Sequence, residues 1–158
     1  MDDQAAEIER LYRDAFVGFR NAVATVTGDY DSARDAVQEG FARALRSRDQ
    51  FRGEGSLEGW VWRIVLRTAL EQRGREKAAP LGEVETHLVE PERDPALAEA
   101  LLELPPKRRL MVFLRYFADL DYATIAEACE VKEGTVAATL AQARKSLAAI
   151  LDEQGVRR

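Results

Sequence analysis

Apolar residues recur at intervals of three or four positions along most of this chain, whereas regular alternation of apolar and polar residues never persists. The first spacing is typical of amphipathic helices and the second of half-buried strands. The pattern therefore predicts an all-α fold. In the first half of the chain it predicts three helices, at about residues 4–27, 32–48 and 56–75.

Each of these helices has an apolar face, which predicts a small three-helix bundle. Asp31 or Ser32 is expected to cap the second helix, because a short oxygen-bearing side chain satisfies a free N–H group there. The residues predicted to be buried are Ile8, Leu11, Ala15, Phe16, Phe19, Val23, Val26, Ala33, Val37, Phe41, Ala44, Leu45, Leu57, Trp60, Val61, Ile64 and Thr68. Trp62 and Leu66 lie away from the apolar face of the third helix and are expected to point outward.

The segment 78–95 is the only candidate domain boundary in the sequence. It holds three prolines and one glycine, which interrupt helices, and five acidic residues against one arginine. The sequence therefore predicts two small helical domains, residues 1–77 and 96–153, joined by a flexible acidic linker.

The second domain has the pattern of a helix-turn-helix. A helix that begins at Pro105–Pro106 runs to about Phe117, and two further helices, the first capped by Asp121, flank a tight turn at 131–134. The second helix of such a pair fits the major groove of DNA. The residues predicted to be buried here are Leu110, Val112, Phe113, Phe117, Val136, Leu140, Ala143 and Leu147. The basic cluster Lys107, Arg108 and Arg109 is either solvated or in contact with DNA phosphates.

Composition limits the kinds of function. The formal net charge is −5, whereas a dedicated non-specific DNA-binding domain is usually strongly basic. Any contact with DNA is therefore local, or a protein partner supplies most of the phosphate affinity. The single cysteine, Cys129, excludes an internal disulfide and reads as a buried, inert thiol, and one histidine adds too little for a transition-metal site.

Other observations favour a cytoplasmic protein that is not an enzyme. No apolar run approaches the ~20 residues that span a bilayer, and the acidic N-terminus is unlike a signal peptide, so we expect no membrane insertion. The sequence shows no nucleophile–base pair, no glycine-rich phosphate loop and no metal-ligand set. We therefore expect no catalytic residue, no metal and no cofactor.

Two stretches resemble the two domains of one protein family. The spacing LPP…LRY…Y-x-x-IA-x-A…V-x-x-GTV…L-x-x-AR-x-x-L resembles the region-four domain of bacterial extracytoplasmic-function (ECF) sigma factors. The stretch GDYDSARDAVQEGFARAL…FRGEGSLEGWVWRI resembles their region-two domain, and the two stand in the family's order. The resemblance implies a sigma factor whose partners are core RNA polymerase, promoter DNA and an anti-sigma factor.

The resemblance also implies a polymerase-binding surface on the second helix. Its residues are Asp35, Gln38, Glu39, Arg43 and Arg46. A surface that mixes carboxylates with arginines suits a charged partner helix, because charge pairing sets register and specificity. Without the resemblance, the same face is an ordinary solvated one with a Glu39–Arg43 pair one helical turn apart.

The third helix and the loop before it resemble the part of the family that binds the minus-ten promoter element. The residues implied are Phe51, Arg52, Trp62, Arg63 and Arg67. An outward tryptophan beside arginines suits strand opening, because an aromatic ring stacks on an unpaired base and guanidinium groups bind phosphates. The alternative is that Trp62 packs against the linker or the other domain. Arg67 stands where the family usually has asparagine.

The last helix resembles the family's reader of the minus-thirty-five element, but it is poor in polar side chains. The candidate contacts are Thr135, Ala137, Ala138, Thr139, Gln142, Arg144 and Lys145. Alanine offers only a methyl group to base edges, whereas readout depends on polar side chains. Glu130 stands where the family's turn has glycine. A side chain at this position strains a left-handed backbone, which glycine adopts freely. The sequence predicts a sigma factor with weak or atypical minus-thirty-five recognition; the alternative is a sigma-derived interaction protein that binds polymerase or an anti-sigma partner without reading promoters.

Overall fold

The computed structural model describes residues 2–76 and 95–153. The helices are α1 (Asp3–Thr27), α2 (Tyr30–Arg46), α3 (Leu57–Glu76), α4 (Pro95–Glu103), α5 (Pro106–Val112), α6 (Tyr122–Cys129) and α7 (Glu133–Glu153); a 3-10 turn spans Arg48–Gln50 and a π-helical turn, Phe113–Phe117, extends α5. Every regular element in these two ranges is helical, which confirms the predicted all-α fold. The predicted linker lies outside the described residues, apart from Pro95, where α4 begins.

The start of α2 differs from the prediction. Asp29 caps it, and not Asp31 or Ser32: the Asp29 Oδ1 atom accepts a hydrogen bond from the backbone N–H of Ser32 at 2.7 Å. The reason is local. Gly28 ends α1 in a left-handed conformation (φ 93°), which leaves Asp29 extended and in position to cap the next turn.

Aromatic rings form the centre of the α1–α3 bundle. Phe19 is fully buried, with the Phe41 ring edge-on at 4.8 Å and the Trp62 ring stacked at 3.6 Å, centroid to centroid. Phe19 and Phe41 were both predicted to be buried, and they are.

The outward orientation predicted for Trp62 and Leu66 is wrong. Trp62 is 1% exposed and Leu66 is 5% exposed. The prediction assumed that α3 buries one face, but α3 packs against α1, α2 and α6. A helix that contacts neighbours on several sides is buried over more than one stripe.

The second domain contains a buried arginine at its centre. Arg109 is 2% exposed, and its guanidinium donates hydrogen bonds to the carbonyl oxygens of Leu101 (3.1 Å), Leu102 (2.6 Å) and Leu104 (2.9 Å) at the end of α4. Burial lowers the pKa of Arg109. The expectation that Arg109 is solvated or meets DNA is therefore wrong: its guanidinium binds carbonyl oxygens in the last turn of α4 and just after it.

The apolar prediction for the helix before the turn needs one correction. Phe113 is buried as predicted, but Phe117 is 45% exposed and stacks on Phe113 at 4.6 Å. Met111 and Leu114 are buried instead. The π-helical turn accounts for the position of Phe117, because its wider winding rotates the end of the helix away from the α-helical register.

The crossing of α2 over α3 depends on a glycine. A Cβ atom added at Gly40 would lie 2.7 Å from Cγ2 and 2.8 Å from Cα of Val65, and the second of these is backbone. We expect Gly40→Ala to lower the free energy of unfolding by about 1–3 kcal/mol, because overpacking here forces two helices apart. Urea unfolding measures it. Gly74→Ala is the control, since nothing lies within 4 Å of its added Cβ; equal losses for the two variants would contradict the prediction.

Candidate polymerase and nucleic-acid surfaces

The predicted polymerase-binding residues share one face of α2. Asp35, Gln38 and Arg46 are exposed, while Glu39 and Arg43 are half-buried. The Glu39 carboxylate accepts hydrogen bonds from Arg43 at 3.2 Å and from Arg46 at 3.3 Å. Both bonds lower the pKa of Glu39, and the bond from Arg43 has the larger effect. The face therefore presents a fixed carboxylate between two guanidinium groups, with a second carboxylate one turn earlier.

Arg43 also has a structural task. Its Nη1 donates to Glu71 at 2.7 Å and to the Thr68 hydroxyl at 3.3 Å, both on α3. The residue therefore joins α2 to α3 as well as holding Glu39. Any loss of polymerase binding on its substitution would combine these two effects, so Asp35 and Glu39 are the sharper probes of the surface.

A groove of about 240 Å³ runs beside this face, between α1 and α2. It is lined by Ile8, Glu9, Tyr12, Gln38, Phe41, Ala42 and Leu45. Gln38 therefore stands between the charged face and an apolar groove. An apolar side chain of a docked partner would be accommodated there beside charge-paired groups, the usual arrangement of an interface core within a polar rim.

The structure exchanges the roles expected of the two tryptophans. Trp62, predicted to meet an unpaired base, is in the core against Phe19. Trp60, predicted to be in the core, is half-buried and lies against Phe51 at 5.7 Å between ring centroids. Arg52, in the same loop, is exposed. The partly exposed aromatic pair near the start of α3 is therefore Phe51 with Trp60. The prediction missed Trp60 because it assumed that α3 buries a single face that contains this residue.

Arg63 and Arg67 are on one side of α3, as predicted, but that side faces α6. Arg67 donates two hydrogen bonds to the Glu130 carboxylate, one from Nε at 2.9 Å and one from Nη2. The bond from Arg67 is the main cause that lowers the pKa of Glu130, and the charge of Arg63 adds to it. Arg67 is therefore paired with a carboxylate of the second domain.

Glu130 adopts the backbone conformation that its glycine-like position predicted. It ends α6 with φ 58° and ψ 44°, in the left-handed region. A residue with a Cβ atom adopts it at a cost of about 1 kcal/mol relative to glycine. Two of the positions at which the sequence departs from the family pattern, 67 and 130, are thus in contact.

The last helix presents the predicted face. Val136, Leu140 and Ala143 are buried, and Leu147 is half-buried. The candidate contacts that are exposed are Thr135, Ala138, Gln142, Arg144 and Lys145, whereas Ala137 and Thr139 are half-buried. The buried stripe predicted for α7 is therefore confirmed, and Ala138 lies on the exposed side of the helix.

Two of the polar groups on this face already have partners. Arg108 of α5 donates to the Gln142 side-chain oxygen at 2.9 Å and to the Ser146 hydroxyl at 3.2 Å. Arg144 donates to the Tyr116 hydroxyl at 3.2 Å. A base or phosphate that uses Gln142 or Arg144 has to compete with these bonds. The face offers few polar groups that are ready for direct readout.

The remaining chemistry of the chain is limited. Burial raises the pKa of the Cys129 thiol to about 11, so it stays protonated near neutral pH, as expected of an inert thiol. Within residues 2–76 and 95–153, no group of three or more His, Cys, Asp and Glu side chains is arranged to hold a metal ion. The same ranges contain no helix with the length and hydrophobicity to cross a membrane.

Comparison with known proteins gives the family. The model of Sigma-70 region 2 matches residues 7–79, and that of Sigma-70, region 4 matches residues 95–147. The sigma factor SigV of Bacillus subtilis is 31% identical over 85% of this chain and 80% of its own. The ECF sigma-E factor of Haemophilus influenzae is 31% identical over 82% and 81%. The chain belongs to the ECF sigma factors.

As a sigma factor, the protein acts in transcription initiation with core RNA polymerase and promoter DNA as partners. Its fold is similar to that of CnrH, solved in complex with the cytosolic domain of CnrY, with a TM-score of 0.71 and 20% identity over 95% of this chain and 96% of that one. It is also similar to the sigma factor RpoE of Bartonella quintana, solved with the anti-sigma factor NepR (TM-score 0.66, 20% identity, 92% and 97% covered). These likenesses support the two-domain helical fold.

Proposed function

We propose that this sigma factor docks on core RNA polymerase through the charged face of α2 and opens the minus-ten element with α3 and its preceding loop. Asp35 and Glu39 are the polymerase contacts that matter most. Phe51 and Arg52 meet the displaced strand, with Trp60 as the accessible ring, while Arg63 and Arg67 bind phosphates. Trp62 supports this surface from the core.

We also propose that minus-thirty-five recognition is weak or follows an unusual code. The observation that supports this is the exposed face of α7, where Ala138 and Ala141 stand beside a Gln142 that is bonded to Arg108. Each bidentate side-chain contact to a base is worth about 1–3 kcal/mol of discrimination, and alanine supplies none of it. Methyl contacts to thymine and sequence-dependent DNA shape remain available.

A second candidate function follows from the same face. Alanines at 138 and 141 also suit packing against another protein, and a solved relative in fold, RpoE, is held by an anti-sigma factor. In this alternative the chain binds polymerase or an anti-sigma partner and reads no promoter. The two candidates differ in one outcome, which is whether new transcripts start when the protein is added to polymerase.

Transcription from a fragmented genomic library tests the proposal. Core polymerase free of sigma factor is supplied with and without this protein, and every start site is mapped. We expect starts that depend on the protein and share an upstream minus-ten motif with a poorly defined minus-thirty-five half. Binding to core without any new start would instead establish the interaction-protein function.

Added charge on α7 tests whether this helix faces DNA. We expect Ala138→Arg with Ala141→Lys to strengthen binding to duplex promoter DNA, with a salt dependence steeper by up to about 2 in log–log slope, because each new phosphate contact releases a counterion. Fluorescence anisotropy at several salt concentrations measures it. Ala149→Arg, exposed further along the same helix, is the control. The same gain from the control alone would show that α7 does not present 138 and 141 to DNA.

A further inference from the structure

Gln142 is the only residue of α7 with a side-chain amide, and it lies on the exposed side of the helix. Between Thr135 and Gln142 the exposed residues are the alanines at 138 and 141. Gln142 is therefore the long polar side chain that a base edge would meet on this face. An amide has two kinds of group, because its oxygen accepts hydrogen bonds and its nitrogen donates two. The base that Gln142 selects depends on which of them faces the DNA.

An arginine of α5 holds the oxygen of this amide. The Arg108 Nη2 atom donates to Gln142 Oε1 at 2.9 Å, and its Nη1 atom donates to the Ser146 hydroxyl at 3.2 Å. Ser146 lies one helical turn beyond Gln142, so a single guanidinium group bridges that turn. Arg108 is half-buried where α5 packs on α7. Two hydrogen bonds from a charged donor hold the Gln142 side chain in a defined position.

The chemistry of arginine decides which amide atom faces α5. A guanidinium group carries five N–H donors and no acceptor, so the oxygen of Gln142, and not its nitrogen, has to face Arg108. Within the part of the chain that the structure describes, the Nε2 group of Gln142 has no hydrogen-bond partner. A base that needs the amide oxygen has to compete with Arg108, whereas a base that needs only the N–H groups does not. Gln142 therefore offers DNA its two donors.

A glutamine that only donates discriminates between bases differently from a free one. A free glutamine recognises adenine through two bonds, which requires both its oxygen and its nitrogen at the base edge. Guanine presents two acceptors, N7 and O6, to the major groove, whereas adenine presents an acceptor beside an amino donor. The charge of Arg108 behind the amide polarises the N–H groups and strengthens their bonds to acceptors. The arrangement therefore favours guanine.

We propose that Arg108 is a positioning residue that makes Gln142 a hydrogen-bond donor, so that Gln142 selects guanine over adenine at the base of the minus-thirty-five element that it meets. The inference rests on the proposed minus-thirty-five recognition by α7 and names part of its unusual code. It also gives an alanine-rich helix a source of specificity. Because Arg108 holds the amide before DNA arrives, less conformational entropy is lost when the contact forms.

Selection of promoter DNA by the holoenzyme tests the proposal. Core polymerase with the full-length protein is incubated with duplexes that carry a fixed minus-ten motif from start-site mapping and a randomised minus-thirty-five region. The bound sequences are then counted. Gln142→Ala identifies the base pair that Gln142 reads, because the preference is lost there and kept elsewhere. At that base pair we expect the wild type to prefer guanine over adenine by roughly fivefold or more.

Two substitutions of Arg108 separate positioning from folding. Arg108→Met keeps a long apolar stem and frees the amide, so the guanine-to-adenine ratio at that base pair should fall to about one or below. Arg108→Lys can still donate to Gln142 Oε1 and should retain the guanine preference. Lys107→Met is the control, since it removes an equal charge from the exposed neighbouring residue. We expect the control to weaken binding to all sequences alike.

The outcomes distinguish this inference from the proposed function. A preference for adenine in the wild type would overturn the inference. So would an Arg108→Met variant that binds all sequences less tightly at an unchanged ratio, because Arg108 would then contact only phosphates. If Gln142→Ala alters no base preference while the holoenzyme still starts transcripts from the library, the inference fails and the sigma function stands. If the holoenzyme selects no promoter at all, the proposed promoter recognition fails and the inference with it.

Discussion

Reversing the charge at Asp35 and Glu39 together, Asp35→Lys with Glu39→Lys, is expected to weaken binding to core RNA polymerase by roughly 30-fold or more. Loss of close charge pairs across an interface commonly produces effects of this size, and reversal adds repulsion. Asp35 is exposed, and Glu39 is held in place by Arg43 and Arg46, so both carboxylates are presented in a defined geometry.

Fluorescence anisotropy of labelled protein titrated with core polymerase measures this effect. Glu7→Lys with Asp14→Lys, two exposed acidic residues of α1, is the matched control for the change in net charge. Both variants should keep the helical circular dichroism of the wild type. If the Asp35 and Glu39 variant binds core as tightly as the control does, the docking surface lies elsewhere.

Truncation of Trp62 to alanine is expected to lower the free energy of unfolding by about 3–5 kcal/mol, the range for buried aromatic residues. The ring is 1% exposed and stacks on Phe19, which itself contacts Phe41, so removal leaves a cavity in the centre of the bundle. A loss of that size is a large part of the stability of a small domain.

Urea unfolding followed by circular dichroism gives the free energy. Trp60→Ala is the control, because Trp60 is half-buried and its loss should cost far less stability. Strand binding should show the opposite ranking: Trp60→Ala weakens it although this variant loses little stability. A stable Trp62→Ala protein that fails to bind the strand would restore the outward orientation that the sequence favoured.

Local sequence patterns predicted most of the secondary structure. The three- and four-residue spacing placed the long helices, and Asp121 caps α6 as expected, with its side chain accepting the Thr124 N–H at 2.8 Å. The left-handed backbone at Glu130 was also foreseen, from a position where the family has glycine. The helix positions, the cap and the left-handed residue each depend on neighbours within a few residues. The local sequence is therefore sufficient to predict them.

Predictions that depended on burial failed where a helix has several neighbours. The spacing on α3 correctly placed Trp60 and Trp62 on different faces of the helix. It predicted that Trp60 is the buried one, whereas the structure buries Trp62. The stripe that contains Trp62 is covered by α1, and only the path of the chain in space decides that. Arg109 is a similar case, because nothing in its own segment shows that the end of α4 requires a donor.

The sequence by itself determined the family, the all-α fold, the positions of most helices and the alanine-rich outer face of α7, because these depend on residue identity and helical period. Only the tertiary structure decided that α3 is enclosed and that Arg67 meets Glu130, which are 63 positions apart. The physical reason is that helical period fixes which side chains share a face, while the partner of that face is chosen by contacts between distant segments. No local spacing records such contacts.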